Sequence, residues 1–370
     1  MINIEFKKHY DALHFTNEIG KYLVGGLGSF MNELYMHHTE EIGFVHLYND
    51  DFIHDIEISR YPGTKDVLSA KYSEAYRLGE LSFDIAVCHF YEFQFMIDEN
   101  FLRGRPLIYV IHSIPTPEPY DIHQPFASYQ DLKIQFQNLC NRADRIVCVS
   151  HAEKLKLQAL YPEYDHKTMV IHNGMQFENN SLTETRSTRN ERIKLGYIGR
   201  LDYRKGILEC LMAIKELHAE LWIASGNDDP TYLASLISYI DGANMKERVH
   251  FLGWCSGERK RGFIQSLDAL VVPSLYEPFG YVVLEAMNEQ IPLICSTGGG
   301  IGEIVGNYRY SYDPYESGAL RNTILQFQMD DAEVIETETM NLFKRTCLFT
   351  SEQMCENYST LFNSLLRKFV

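Results

Sequence analysis

At 370 residues the chain is too long for one ordinary hydrophobic core, so two domains are expected. Hydrophobic residues make up 45% and charged residues 23%, the balance of a soluble globular protein, and no apolar run reaches the ~18–20 residues of a membrane helix. The formal net charge of −16 is shared by both halves, which disfavours nucleic acid and anionic lipid as partners, so membrane association is not indicated.

The first residues, "MINIEFKKHY", lack the apolar core and small-residue cleavage site of a signal peptide. Eight cysteines are scattered without a Cys-x-x-Cys pair. That pattern argues against structural zinc and a disulfide framework, and fits the reducing cytoplasm.

In chain order, short apolar runs rich in β-branched residues alternate with helix-like segments. The first half holds "ALHFT" (12–16), "FVHLY" (44–48), "DIAVCH" (84–89), "LIYVIH" (107–112), "RIVCVS" (145–150) and "TMVIH" (168–172). The second holds "IKLGYIG" (193–199), "ELWIAS" (220–225), "RVHFLG" (248–253), "DALVVPS" (268–274) and "PLICS" (292–296). Continuous apolar strands alternating with helices predict parallel sheets covered on both faces. The polar stretch "MQFENNSLTETRSTRNER" (175–192) interrupts the pattern, and the domain boundary is placed there. Two doubly wound domains are therefore expected, residues 1–175 and 176–350. Residues 351–370 read as a terminal helix, because "ENYSTLFNSLLRKF" has apolar residues at helical spacing.

In such sheets ligands bind beyond the carboxyl ends of strands, where loops lead into helices. After the first strand, Gly25, Gly26 and Gly28 precede a helical run starting near Ser29. They form either a plain glycine-rich turn or a place where backbone approaches a ligand. No Gly-Lys-Ser/Thr follows, so this is not a Walker loop. In the second half, "GYIGRLDYRKG" places Gly199, Arg200 and Lys205 at a strand end. An arginine fork and a mobile lysine charge suit phosphate oxygens, although a solvated basic loop has the same composition.

The stretch "YEPFGYVVLEAM" (276–287) follows the strand "DALVVPS". With a helix beginning near Phe279 or Gly280, the amides of Phe279, Gly280, Tyr281 and Val282 form an anion cradle. Glu277 stands just outside it, and Glu285 about five residues in, roughly 7.5 Å along the axis. A nucleoside diphosphate sugar would engage all of these: its diphosphate the amides, Arg200 and Lys205, its sugar Glu277, and its ribose diol Glu285.

The seven-residue gap between the two glutamates in "EPFGYVVLEAM" resembles the Glu-x7-Glu signature of retaining glycosyltransferases of family four. "GRLDYRKG", "LVGGLG", "VIHNGM" and "PLICSTGGGIGEIV" are similar to further segments of that family, in the same order. The resemblance implies a GT-B fold, two Rossmann-like domains facing each other across a cleft, with the C-terminal helix packing back on the first. It implies transfer of a sugar from a nucleoside diphosphate sugar, a UDP-sugar first among them, to a hydroxyl with retention. It also implies that Glu277 meets the donor sugar and Glu285 the ribose, while Arg200 and Lys205 meet the departing diphosphate. His112 corresponds to the first-domain histidine placed near the donor sugar; a histidine satisfied at a strand end fits the same position. Trp254 and Cys255 fall where the nucleotide base meets backbone groups.

No Asp-x-Asp pair is present, and "NDDP" (227–230) reads as a turn, so no metal or other cofactor is expected. Residues near Gly25–Gly28 and the proline-rich segment 112–130 are expected to choose the acceptor, whether sugar, peptide or lipid-linked glycan. A non-catalytic partner subunit of the same fold, binding glycan or protein, and a nucleotide-sugar epimerase are the competing readings.

Overall fold

The computed structural model describes residues 9–17, 26–38, 42–48, 57–60, 66–71, 81–95, 97–115, 126–177, 192–226 and 229–369. They divide into two compact units, one running to Gln176 and resuming at Thr350, the other spanning Phe177–Phe349. Gly25 and most of segments 112–130 and 175–192 lie outside or partly outside the described residues, as do two residues of "NDDP".

Unit one contains, in chain order, β1 (His9–Thr16), α1 (Gly26–His37), β2 (Ile42–Tyr48), β3 (Glu57–Arg60), β4 (Asp66–Lys71) and β5 (Ser82–Cys88). It continues with α2 (Glu99–Leu102), β6 (Leu107–Ile111), α3 (Phe126–Arg142), β7 (Arg145–Cys148), α4 (His151–Leu160) and β8 (Thr168–Val170). The strand order is β3-β4-β2-β1-β5-β6-β7-β8, parallel throughout except where β3 pairs antiparallel with β4. Fully buried runs such as Leu107–Ile111 explain the burial on both faces. Phe15, Phe83, Phe93, Tyr109 and Phe136 fill the core beneath the helices.

Unit two runs β9 (Ile193–Ile198), α5 (Ile207–Ile214), β10 (Ala219–Ala224), α6 (Pro230–Gly242), β11 (Val249–Phe251), α7 (Gly257–Gln265) and β12 (Ala269–Val272). Then come α8 (Tyr281–Asn288), β13 (Leu293–Ser296), α9 (Ile301–Val305), β14 (Ser311–Tyr312), α10 (Ala319–Met329) and α11 (Ala332–Arg345). Its sheet is parallel, in the order β11-β10-β9-β12-β13-β14. The chain winds outward from β9 through β10 and β11, then restarts on the other side at β12. The crevice beyond the ends of β9 and β12 is thus the topological switch point, where a ligand fits.

The last helix, α12 (Ser351–Phe369), belongs to unit one. Met354, Tyr358, Leu361, Phe362 and Leu365 repeat at three- and four-residue steps and are buried. Tyr358 meets Phe30 of α1 edge-on at 6.0 Å, and the Ser351 hydroxyl donates to Glu33 of α1 at 2.5 Å. Among the described residues, no helix is long and apolar enough to cross a membrane.

The apolar runs all carry strands. Three further strands appear, β3 and β14 at sheet edges and β4 between β3 and β2, and β1 starts three residues before "ALHFT". "EISR" and "SY" are short and polar, so only pairing with a neighbour makes them strands. Helix α1 starts at Gly26 instead of near Ser29, placing Gly26 and Gly28 inside its first turn.

Candidate functional site

The loops following β9 and β12 are stitched together by backbone. After Gly199, whose N–H donates to the Ala224 carbonyl at 3.1 Å, the Tyr197 hydroxyl donates to the Arg200 carbonyl at 2.6 Å. The Arg200 side chain is exposed. Asp202 caps the next turn, accepting from the Arg204 amide at 3.0 Å, and the Leu275 amide donates to the Arg204 carbonyl at 2.7 Å. Gly206 closes the turn at φ +65°, and a Cβ there would lie 2.1 Å from the Pro273 carbonyl oxygen. Only glycine lets the two loops approach this closely.

This contact delivers Lys205 to Glu277. The Lys205 ammonium donates to Glu277 Oε1, which also accepts from the Ser274 hydroxyl at 2.9 Å. The two charged side chains retain 19% and 15% of their exposure, so they reach the crevice without being solvated on all sides. Burial pushes the Glu277 carboxyl up, but the Lys205 charge and its hydrogen bond outweigh that, holding it below the usual carboxylate range. The backbone of Glu277 is fixed from the other side: its amide donates to the Gly298 carbonyl and its carbonyl accepts from the Gly300 amide at 2.8 Å. Gly299, at φ +69°, passes so near that a Cβ would sit 2.1 Å from the Glu277 carbonyl oxygen. The segment "STGGG" is therefore a rail for Glu277.

Helix α8 opens at Gly280, with φ +120°. The rings of Phe279 and Tyr281 are buried and meet edge to face at 5.4 Å, while Phe279 also packs against Phe349. With these rings turned into the core, what residues 279–282 can offer the crevice is backbone. Glu285, half-buried one turn further on, is balanced by a residue the sequence reading did not single out. Lys260 of α7 places its ammonium 2.6 Å from one carboxylate oxygen and 2.5 Å from the other. Ser274, beside Glu277, is a second such residue. A lysine in "GERKRGF" has no local sequence mark that ties it to a glutamate 25 residues later.

Trp254 is half-exposed and Cys255 buried. The Trp254 carbonyl already accepts from Arg259 Nη1 at 3.4 Å, and Arg259 Nη2 holds the Leu252 carbonyl at 3.0 Å. This segment therefore offers a ligand chiefly the indole face and the remaining backbone groups.

His112, Gly26 and Gly28 belong to unit one. His112 follows β6 and is half-buried. Its Nε2 lies 3.1 Å from His89 Nδ1, and Phe30 packs on its ring at 4.8 Å. The loop beyond it is pinned where Glu153 accepts from the Ile114 amide at 2.7 Å. Burial pushes the His112 imidazole down to about 3, so it is uncharged at neutral pH. The sequence-predicted residues thus gather as Lys205 with Glu277 and as Glu285 on the adjoining helix, with Arg200 exposed at the head of the same loop.

Residues 181–340 match the family model described as Glycosyl transferases group 1, and residues 44–178 match Glycosyltransferase Family 4. An uncharacterized glycosyltransferase of Methanocaldococcus jannaschii is 31% identical over 175 residues, 44% of each chain. Glycogen synthase of Mycobacterium tuberculosis is 31% identical over 178 residues, 46% of this chain and 41% of that protein. The alignments thus span less than half the length of these relatives. Among solved structures, sucrose-phosphate synthase from Thermosynechococcus elongatus superposes with a TM-score of 0.77 at 18% identity, over 97% of this chain and 100% of that one. Anabaena HepE in complex with UDP and glucose gives 0.73 at 16% identity, over 96% and 100%. At these identities the structural likeness establishes a shared GT-B fold.

Proposed function

For a chain that belongs to the group 1, family four glycosyltransferases, we propose retaining transfer of a sugar from a nucleoside diphosphate sugar, a UDP-sugar foremost, to a hydroxyl acceptor. The observation that carries this reading is the Lys205–Glu277 contact at the β9/β12 switch point, beside the opening of α8. The UDP and glucose bound by HepE support the choice of donor.

In this reading Arg200, Lys205 and the amides of Phe279, Gly280, Tyr281 and Val282 face the diphosphate. The ammonium of Lys205 has three donors and spends one on Glu277. It can therefore turn another to phosphate without giving up the carboxylate. Glu277, kept ionised, accepts from hydroxyls of the donor sugar, and Glu285 from the ribose. Trp254 and Cys255 lie toward the base, and Gly199 lets the loop approach the phosphates. His112 takes a catalytic place as a contact of the donor sugar and the α1 start at Gly26 and Gly28 is a donor-binding turn, both in the domain, residues 1–175, that also takes the acceptor; residues 176–350 bind the nucleotide sugar.

As the glycosidic bond breaks, negative charge grows on the diphosphate, and preorganised cations and amides stabilise it more than the ground state. The leaving phosphate oxygen takes the acceptor proton, so no protein base and no metal is assigned. All eight cysteines are free thiols, which supports a cytoplasmic setting.

The test is a panel of nucleotide sugars, scored first by thermal stabilisation and then by donor consumption with and without candidate acceptors. A UDP-sugar should raise the melting temperature by mass action. If none of the panel stabilises the protein and none is consumed, the reading is wrong.

A further inference from the structure

His112 is the end of a row. His14 lies near the carboxyl end of β1, His89 directly after β5 and His112 directly after β6, on three strands that are neighbours in the sheet. Adjacent strands run ~4.8 Å apart. That spacing sets the imidazole centroids 5.2 and 5.3 Å apart, within hydrogen-bond reach of one another. His14 Nδ1 is 2.9 Å from His89 Nε2, and His89 Nδ1 is 3.1 Å from His112 Nε2. His14 and His89 are buried. Around the row stand aromatic rings: Phe30 against His89 and His112, Phe44 and Phe362 against His14. Burial, with the other two imidazoles beside it, also pushes His89 far down, so His89 and His112 are neutral at pH 7.

A neutral imidazole has one N–H and one lone pair. With His14 neutral as well, three in series can satisfy both internal contacts in only two ways. In one, His14 Nδ1–H donates to His89, His89 Nδ1–H donates to His112, and His112 carries its proton on Nδ1. In the other, every donor is reversed, and His112 Nδ1 is a bare acceptor. Any mixture sets two lone pairs or two N–H groups face to face in a buried site, which is disfavoured.

We propose that His14 and His89 are positioning residues that tie the proton of His112 to a single order along the row, so that Nδ1 meets a hydroxyl of the donor sugar in the hydrogen-bonding role which that order sets. This rests on the reading of His112 as a sugar contact. The nearest analogue is the outer partner that fixes the tautomer of a metal-bound histidine.

The test uses the full chain with 15N-labelled histidine and two-bond proton–nitrogen spectra at neutral pH, which report the protonated nitrogen of each ring. The wild-type protein is expected to show all three imidazoles neutral and in the same tautomer. His14→Phe, which leaves the His89–His112 pair intact, should blur His112 into a mixture. His89→Phe should do so more strongly, and kcat/KM for the nucleotide sugar should fall by about tenfold. Unchanged His112 nitrogen shifts in folded His14→Phe would overturn the proposal. So would opposed tautomers or a charged ring in the wild type, a result that needs no variant to fold. The spectra require neither donor nor turnover. A coupled row in a protein that binds no nucleotide sugar would refute the sugar contact while leaving the tautomer coupling standing.

Discussion

The ammonium of Lys260 sits between the two carboxylate oxygens of Glu285, 2.6 Å from one and 2.5 Å from the other, with roughly a quarter of each side chain exposed. Removing the lysine leaves a half-buried carboxylate without its counter-charge. Lys260→Ala is expected to cost about 1–2 kcal/mol, between the values for exposed and buried pairs, and to raise the donor KM. The loss should shrink when Glu285→Gln is already present. Urea denaturation of both single variants and the double variant measures this coupling, and strict additivity would remove Lys260 from the site.

Lys205→Ala should lower kcat/KM about 10²–10³-fold, the size of a lost preorganised charge. Lys205→Arg should not restore it, since a planar fork cannot take the place of an ammonium seated between Glu277 and a phosphate. Ser274→Ala, which removes one hydrogen bond to the same carboxylate oxygen, should cost about 1 kcal/mol, or roughly fivefold. Steady-state kinetics with saturating acceptor ranks the three. Equal effects from all would point to misfolding instead of chemistry.

Glu277 also leaves a signature in acid. Its folded carboxyl titrates below the unfolded value of 4.5, so its stabilisation is complete above that value and fades as pH drops through the folded one. Glu277→Gln should therefore flatten part of the stability loss below about pH 4.5. Melting curves from pH 3 to 7 show whether the acid limb changes; an unaltered limb contradicts the ion pair.

Glu33 has the opposite sign. Burial raises its carboxyl more than the Ser351 hydroxyl, His37 and the Gln176 amide lower it. The folded state thus takes up this proton first, and its contribution improves as pH falls from the folded value toward 4.5. Glu33→Gln keeps an oxygen for the Ser351 hydroxyl and the Gln176 amide while discarding the buried charge. Its melting temperature at pH 7 should equal or exceed that of wild type. A clear drop would mean that the His37 contact at 3.5 Å matters more than desolvation.

The elements that sequence makes visible are those in which burial on both faces leaves a continuous apolar run, as in "LIYVIH" and "DALVVPS". Glu277 and Lys205 could be found for a related reason: each sits at a fixed distance behind such a run, where parallel topology brings strand ends together. Lys260 could not, because α7 shows a mainly polar face and the partner lies on another helix. The histidine row is hidden more deeply. Residues 14, 89 and 112 become neighbours only through the strand order β1-β5-β6, which no local pattern encodes. Helix α1 begins three residues earlier than its pattern predicts, because glycines at 26 and 28 resemble a turn, whereas the fold carries them into the helix.

Because α12 completes unit one from beyond unit two, the second unit is nested within the first along the chain. A ribosome therefore finishes residues 177–349 before it releases the segment that covers Phe30 and His14. Until then the first unit lacks the aromatic cover that Tyr358 and Phe362 supply.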